Sequence, residues 1–437
     1  MSKPVNASMF SKLFLISETA ILSFTFVVTL LNAPPSWAEE PGITEKAIRI
    51  GASDPLEGDA KVYGQNLKKG IDAALTGQII QKRTIEFEML DDRYTPDKAV
   101  ENTKQLVDKG VFAMVGSFGS VTTQKVLPIL AERKIPAFGF YTGAGFAGPG
   151  DVLNFRPSST KEVEAMVTTA LAAGIKPNEI CAYVQNDEFG MSGLKGFRAA
   201  LSKQPGTESS ISKLDQLIAM TGGDPPRNNV GPVGVHNRNN WAARDGYLSL
   251  KNWEKLSGAP CRLVITTALL EPTTMFIAYS RYKNEPWVFS AISVVSGNHF
   301  SDELKNKGVT GKSEKVITTQ VLPSLDASLP IINEARKALG SDLNYISLEG
   351  YVVARLFMEI MKAINGPLTH EAFLKAARLQ TYDIGGIKID FTNDNQGSDF
   401  VGFTLLKDGI FASVSAQEMT TISVSYTHLT LPTSDLV

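Results

Sequence analysis

The residues able to do chemistry in this chain are few. Gly143-Ala-Gly145-Phe-Ala-Gly148 fits G-x-G-x-x-G and follows an apolar, strand-like run, the setting in which such a loop can cradle a pyrophosphate. That use needs a helix to open directly after the last glycine. Here Pro149-Gly150-Asp151 and another β-rich run follow, so the pattern reads as a flexible cleft loop. His236, His299, His370 and His428 are far apart and lack zinc-ligand spacing. No G-x-S-x-G elbow, P-loop or paired-Cys metal motif occurs, and Gly190-Met-Ser192-Gly193 falls inside a helix start. No catalytic residue, metal or cofactor is expected. A binding chemistry remains. Ser120 opens a helix after a strand and a Ser/Gly turn, and the free N–H groups and dipole of such an end suit a carboxylate. Serine is also among the best N-caps, and the two roles are compatible. Asp187 precedes another helix, either as its cap or as a partner for a ligand cation.

The elements that must position these groups alternate. Residues 111–150 read as a strand (113–116), a turn, a helix from Ser120, and a strand (136–141) ending in the Gly-rich loop. Two turns thus emerge at the carboxyl ends of neighbouring parallel strands, where open α/β sheets hold ligands. Before them come strands at 47–52 and 85–90, a helix at 61–75, and a helix with Thr95 as N-cap and Pro96 at its first position. After a change of rhythm at 151–157, helices are expected at about 161–173, 188–201 and 271–282, with strands at 180–184, 262–266, 287–293 and 316–321. Leu348, Val352, Leu356, Ile360 and Ile364 recur at i+4 and predict a long core-facing helix. A helix at 369–378 and strands at 387–391 and 403–406 complete the body. The pattern is that of an α/β protein with parallel sheets. Residues 221–245, rich in Gly, Pro and Asn, predict an irregular loop, with Trp241 and Trp253 as packing anchors on either side.

Composition bounds the function. The 437 residues are 43% hydrophobic and 20% charged, with a net charge of −2, which gives no footprint for nucleic acid or an anionic membrane. Lys3 and Lys12, an apolar run over 13–31 and the exit Ser36-Trp37-Ala38 predict a signal peptide over 1–38. The rival reading is a retained membrane anchor. Cys181 and Cys261 each start a predicted strand; they are either a disulfide, which export permits, or two small buried residues. Residues 420–437 have no place in the alternation and read as foreign sequence outside the fold.

Several separated segments, in order and spacing, resemble the periplasmic substrate-binding proteins of branched-chain amino acid ABC transporters, the leucine/isoleucine/valine-binding type. They are SDPLEGDAKVYGQNLKKGIDAAL, LPILAERKIPAFGFYTGA, NFRPSSTKEVEAM, YVQNDEFGMSGLKGFRAAL, SLEGYVVARL and YDIGGIKIDFTNDNQGSDFVGFTLLKDGIF. The similarity runs from about Ile48 to Phe411 and is weakest over 204–258. It implies an α/β fold of two Rossmann-like lobes with parallel sheets, joined by three crossovers and closing on ligand by hinge motion. One lobe would comprise 46–153 and 322–398, the other 154–321 and 399–414. The resemblance places an aromatic cleft residue at Tyr63 and a carboxylate-binding serine at Ser120, aided by N–H groups near Thr122. Tyr141, Thr142 and Gly143 match a turn that offers main-chain groups and a hydroxyl. Phe189 and Leu270 stand where members commonly have Tyr.

The resemblance therefore implies an exported monomer that takes a small-molecule ligand to an ABC permease in the membrane. Members that bind free amino acids supply an acid from the loop after a second-lobe strand, but Ala291-Ile-Ser-Val-Val-Ser-Gly has none. A buried ammonium needs such a partner, and Asp187 and Glu271 are the nearest substitutes. The expected ligand is a branched-chain amino acid or a related small carboxylate or amide. A sensory module reporting to a receptor, or an exported enzyme, are the other classes.

Overall fold

The first half of the chain builds an open parallel sheet from short β-α units. These are β1 (Ala47–Asp54), α1 (Lys61–Leu75), β2 (Ile79–Ile80), β3 (Arg83–Asp91), α2 (Pro96–Asp108), β4 (Ala113–Val115), α3 (Ser120–Arg133) and β5 (Ala137–Phe138). The order is β2-β3-β1-β4-β5, parallel except for the β2/β3 hairpin. The computed structural model describes Met1 and residues 40–146, 152–295, 297–309, 315–415 and 417–419. The expected signal peptide beyond Met1, the end of the Gly-rich loop and the tail from 420 lie outside the described residues.

The second sheet follows α4 (Ser159–Ala172). It is built by β6 (Ile180–Gln185), α5 (Glu188–Leu201), α6 (Glu208–Ala219), β7 (Val233–His236), α7 (Arg244–Ser257), β8 (Leu263–Thr267), α8 (Leu270–Tyr282), β9 (Val288–Ala291), α9 (Gly297–Asn306) and β10 (Val316–Gln320). The chain then returns to the first core as α10 (Pro330–Leu339), α11 (Tyr345–Lys362), α12 (His370–Ala377) and the hairpin β11 (Tyr382–Ile384)–β12 (Ile387–Ile389). It ends in the second sheet as β13 (Gly402–Lys407) and β14 (Ile410–Val414). That sheet runs β14-β13-β10-β9-β8-β6-β7, with β13 alone running against the other strands. Two lobes are thus joined by three crossings, after β5, β10 and β12. The first and third lie side by side, since Asn154 N–H donates to Asn395 O at 2.8 Å.

Packing explains the register of the first lobe. The i+4 apolar series makes α11 almost wholly buried, and Asn344 caps it by accepting from Ile346 and Ser347 N–H, both at 3.0 Å. Helix α1 lies directly against it: a Cβ on Gly70 would stand 1.9 Å from Ser347 O. Only glycine allows that approach.

Several expectations change. Thr95 precedes α2 as expected, but its side chain makes no capping bond. Ser120 is the first helical residue rather than the cap, and Gly119, at φ 97°, takes the cap position. Residues 221–245 are not simply a loop, because β7 lies within them, parallel to β6. The valines of VGVH are interrupted by a glycine, which hides the strand. That glycine has a reason: a Cβ on Gly234 would lie 2.3 Å from Gly246 O of α7. The polar residues before β7 are tied down, as Arg227 donates to Leu217 O (2.8 Å) and Asn186 Oδ1 (2.7 Å). Trp253 packs on the second core, but Trp241 is 41% exposed and stands outside that cluster. Cys181 and Cys261 are joined as a disulfide, with their Cα atoms 5.7 Å apart.

Candidate functional site

Two adjoining cavities open at the carboxyl ends of the strands, between the lobes. Counting the space open to solvent, the inner one spans about 300 Å³ and the outer about 750 Å³, and Tyr94 and Leu269 border both.

The first-lobe wall of the inner cavity is built by the turns after β4 and β5. Gly119 must be glycine, since a Cβ there would meet the Tyr94 ring at 2.5 Å. The turn delivers Ser120, whose Oγ lies 2.9 Å from Thr142 Oγ1, both buried. Gly143 O accepts from Ser159 N–H at 2.7 Å, and a Cβ on Gly143 would sit 2.1 Å from Ser159 Oγ. The first turn of α3 has no side-chain cap, so its N–H groups are open to an acceptor. Thr122 does not line the cavity; its hydroxyl turns back to Phe118 O and Gly119 O. Tyr141 forms part of the wall, and burial raises its phenol well above the usual range.

Arg156, which sequence reasoning passed over, also lines this cavity. It lies on the first crossing with its guanidinium 4.3 Å over the Tyr141 ring and bonded to Ser293 Oγ. Its carboxylate partners are Glu349 of the first lobe at 3.5 Å and Glu162 of the second at 3.8 Å. Glu162 in turn accepts from Ser293 N–H (2.8 Å) and Oγ (3.0 Å). Burial alone would lower the guanidinium pKa, but Glu349, Tyr141 and Glu162 outweigh it and hold it above its ordinary value. Burial pushes Glu349 up to about 7 despite Arg156. Arg156 Nε and Ser159 Oγ are buried without a hydrogen-bond partner. A charged residue inside the apolar run Val-Leu-Asn-Phe-Arg-Pro was the available signal.

Apart from Ser159 of α4, the second-lobe wall is hydrocarbon: Phe189, Leu269, Ile292 and Val294. Asp187 does not reach it. That carboxylate caps α5, accepting from Phe189 N–H at 3.0 Å and from Gln185 Nε2 at 2.6 Å, and burial raises its pKa. Glu271 borders the outer cavity instead, where burial and then Glu303 raise its pKa. Tyr63 and Leu270 also belong to the outer cavity, and Leu270 N–H donates across the cleft to Tyr63 Oη at 3.0 Å. Tyr63 stacks on Phe118 with centroids 4.7 Å apart. Of the nine ligand residues expected, five line the inner cavity (Ser120, Tyr141, Thr142, Gly143, Phe189), two line the outer (Tyr63, Leu270), and Thr122 and Asp187 line neither. Among the described residues no cluster of His, Cys, Asp and Glu is arranged to hold a metal ion, and no helix is long and apolar enough to cross a membrane.

Comparison with known proteins agrees with this architecture. Residues 47–213 match the profile of a periplasmic binding protein family. A possible leucine/isoleucine/valine-binding protein from Rhodopirellula baltica is 29% identical, with a TM-score of 0.73 over 89% of this chain and 100% of that one. A branched-chain amino acid ABC transporter protein from Thermus thermophilus with bound valine is 14% identical, with a TM-score of 0.67 over 85% and 96%. A solute-binding protein from R. palustris in complex with 4-hydroxybenzoate is 17% identical, with a TM-score of 0.65 over 85% and 96%. No curated protein sequence matches the chain significantly. The fold is that of the type I periplasmic binding proteins.

Proposed function

We propose that this chain, with its type I periplasmic binding fold, captures a small organic acid between its lobes outside the cytoplasm and hands it to an ABC permease. The observation that carries the reading is the polarity of the inner cavity: hydroxyls, an open helix end and a guanidinium line it, and among the described residues no carboxylate does. A carboxylate or amide oxygen would accept from whichever of the Ser120 and Thr142 hydroxyls is not donating to the other, from the first N–H groups of α3, and from the unpartnered Ser159 and Arg156 donors. An α-ammonium would find no acid on this wall and would face the Arg156 charge, so burying it is costly. A des-amino acid or amide with an apolar body fits better than the corresponding branched-chain amino acid.

Capture works through population shift. Head group and body are contacted by different lobes, so ligand favours the closed arrangement, in which Tyr63 also reaches Leu270. The protein acts as a monomer and leaves the ligand chemically unchanged. A thermal-shift screen tests this, because a ligand that binds only the folded state raises its melting temperature by mass action. Aliphatic and aromatic monocarboxylates and their amides should raise it more than their α-amino counterparts. A screen in which only amino acids stabilise the protein would overturn the acid reading, and conversion of any bound compound would overturn binding as the function.

A further inference from the structure

The outer cavity is larger than the inner one and is walled by groups for which a short acid has no use. Its second-lobe side is formed by the start of α8, where Glu271 lies, and by the end of β7, which falls within the stretch whose composition suggested only a loop. His236 ends that strand, is 4% exposed and stacks on Tyr183 with centroids 5.3 Å apart. Its Nδ1 lies 3.0 Å from Asn237 O and 3.1 Å from Asn240 O. Both neighbours are carbonyl oxygens, which only accept, so Nδ1 must carry the proton. Burial lowers the imidazole pKa to about 4, so the ring is neutral at neutral pH. Nε2 is then a lone-pair acceptor, and it is buried with no hydrogen-bond partner. A buried acceptor left unmade costs stability unless something supplies a donor.

The residues around it close over the gap between the lobes. Arg238 donates to Tyr94 O at 2.8 Å and lies 5.6 Å from its ring, which brings the segment after β7 onto the first lobe. Gln185 Nε2 lies 3.3 Å from Tyr94 Oη. Trp241 offers a half-open indole at the rim.

We infer that the outer cavity is a second recognition subsite, in which His236 Nε2 accepts a hydrogen bond from a hydroxyl or amide N–H at the end of the ligand remote from its carboxylate. This rests on the acid reading of the inner cavity and narrows the ligand to an elongated acid with a distal donor. Tyr63, Tyr94 and Trp241 flank the path between the two ends and favour a flat or aromatic body.

Matched acids differing only in the distal donor test this by calorimetry: phenylacetate, phenylpropanoate and phenylbutanoate, each against its para-hydroxy form. In at least one pair the hydroxy acid should bind about tenfold more tightly, and His236→Phe, which keeps the ring but removes the acceptor, should erase that advantage. Equal affinities in every pair, or an advantage that survives His236→Phe, would overturn the subsite. Should the variant not fold, the wild-type protein labelled with nitrogen-15 in histidine supplies the readout. The unprotonated Nε2 resonance of His236 should move with the hydroxy acid and not with its plain partner; equal movement with both overturns the inference. If the plain acids bind and the hydroxyl makes no difference, only the subsite falls. If none of the six binds, the elongated aromatic ligand and the subsite fall, while the acid reading falls only if the thermal-shift screen also finds no stabilising monocarboxylate or amide.

Discussion

The first-lobe wall of the inner cavity sets short polar groups on sharp turns beside the rings of Tyr94, Phe118 and Tyr141, whereas the second-lobe wall, apart from Ser159, is hydrocarbon from Phe189, Leu269, Ile292 and Val294. On the first side, position is fixed by backbone that tolerates no substitution, as at Gly119 and Gly143. On the second, side chains of several shapes would fill the same space. The difference separates two tasks. Hydrogen bonds to a head group demand exact direction, while apolar contact with a ligand body demands mainly volume and burial. Arg156 belongs to neither wall alone, since it faces the cavity from the crossing and is shared by carboxylates of both lobes.

Breaking that shared position should have the largest effect. Arg156→Met removes the guanidinium and leaves Glu162 and Glu349 buried without it, which should cost about 3–5 kcal/mol. Urea unfolding measures this, and a loss near zero would show that the pair of carboxylates is satisfied by other groups.

A contrasting site in the first lobe has buried charge without such pairing. Asp54 is fully buried close to Asp92, with no cation paired to it among the described residues and only the Phe118 N–H helping to hold its charge. Burial and then the Asp92 charge raise Asp54 well above the usual range, and burial raises Asp92 to about 6. A carboxyl raised in the fold contributes stability below its unfolded pKa and loses it as pH climbs through the folded value. Stability should therefore decline from about pH 4 through 6 and above as these groups ionise. Asp54→Asn should flatten that decline and raise the urea midpoint at pH 8 relative to wild type. An unchanged slope between pH 5 and pH 8 would remove Asp54 from the account.

Two smaller changes separate the inner cavity from the outer one. Ser120→Ala, on the polar wall, should weaken binding by about 1–3 kcal/mol, read by calorimetry with the acid that gives the largest thermal shift. Tyr63→Phe removes the oxygen that accepts Leu270 N–H across the cleft and should cost about 1 kcal/mol of affinity. It should also leave the relative preference among acids unaltered, because Phe keeps the ring that borders the outer cavity and only the bond across the cleft is lost. A reordered preference would show that the Tyr63 hydroxyl itself contacts the ligand.

Much of the architecture was legible because local signals agreed. The apolar series from Leu348 and the bounds of α1 (Lys61–Leu75) and α5 (Glu188–Leu201) could be read from periodicity alone. The strand β7 could not, since its glycine exists to admit Gly246 O from a helix that follows later in the chain. The polar wall was legible for a similar reason: a serine at a helix start and a Gly-rich turn are local features. Arg156 was not, because its meaning depends on Glu349, which is 193 positions along the chain (349 − 156) and in the other half of the fold. Thr122 and Asp187 had the right residue type and place, but each spends its polar atoms on its own helix end.

The triple contact of Arg156 also limits how such a protein can diverge. A substitution there would disturb the ligand's surroundings and the link between Glu162 and Glu349 at once, so selection for a new ligand would meet a penalty in folding. Phe189, Ile292 and Val294 carry no polar side-chain duty and can drift one at a time. Diversification of specificity along this lineage would then proceed almost entirely on the hydrocarbon side, with the crossing inherited unchanged.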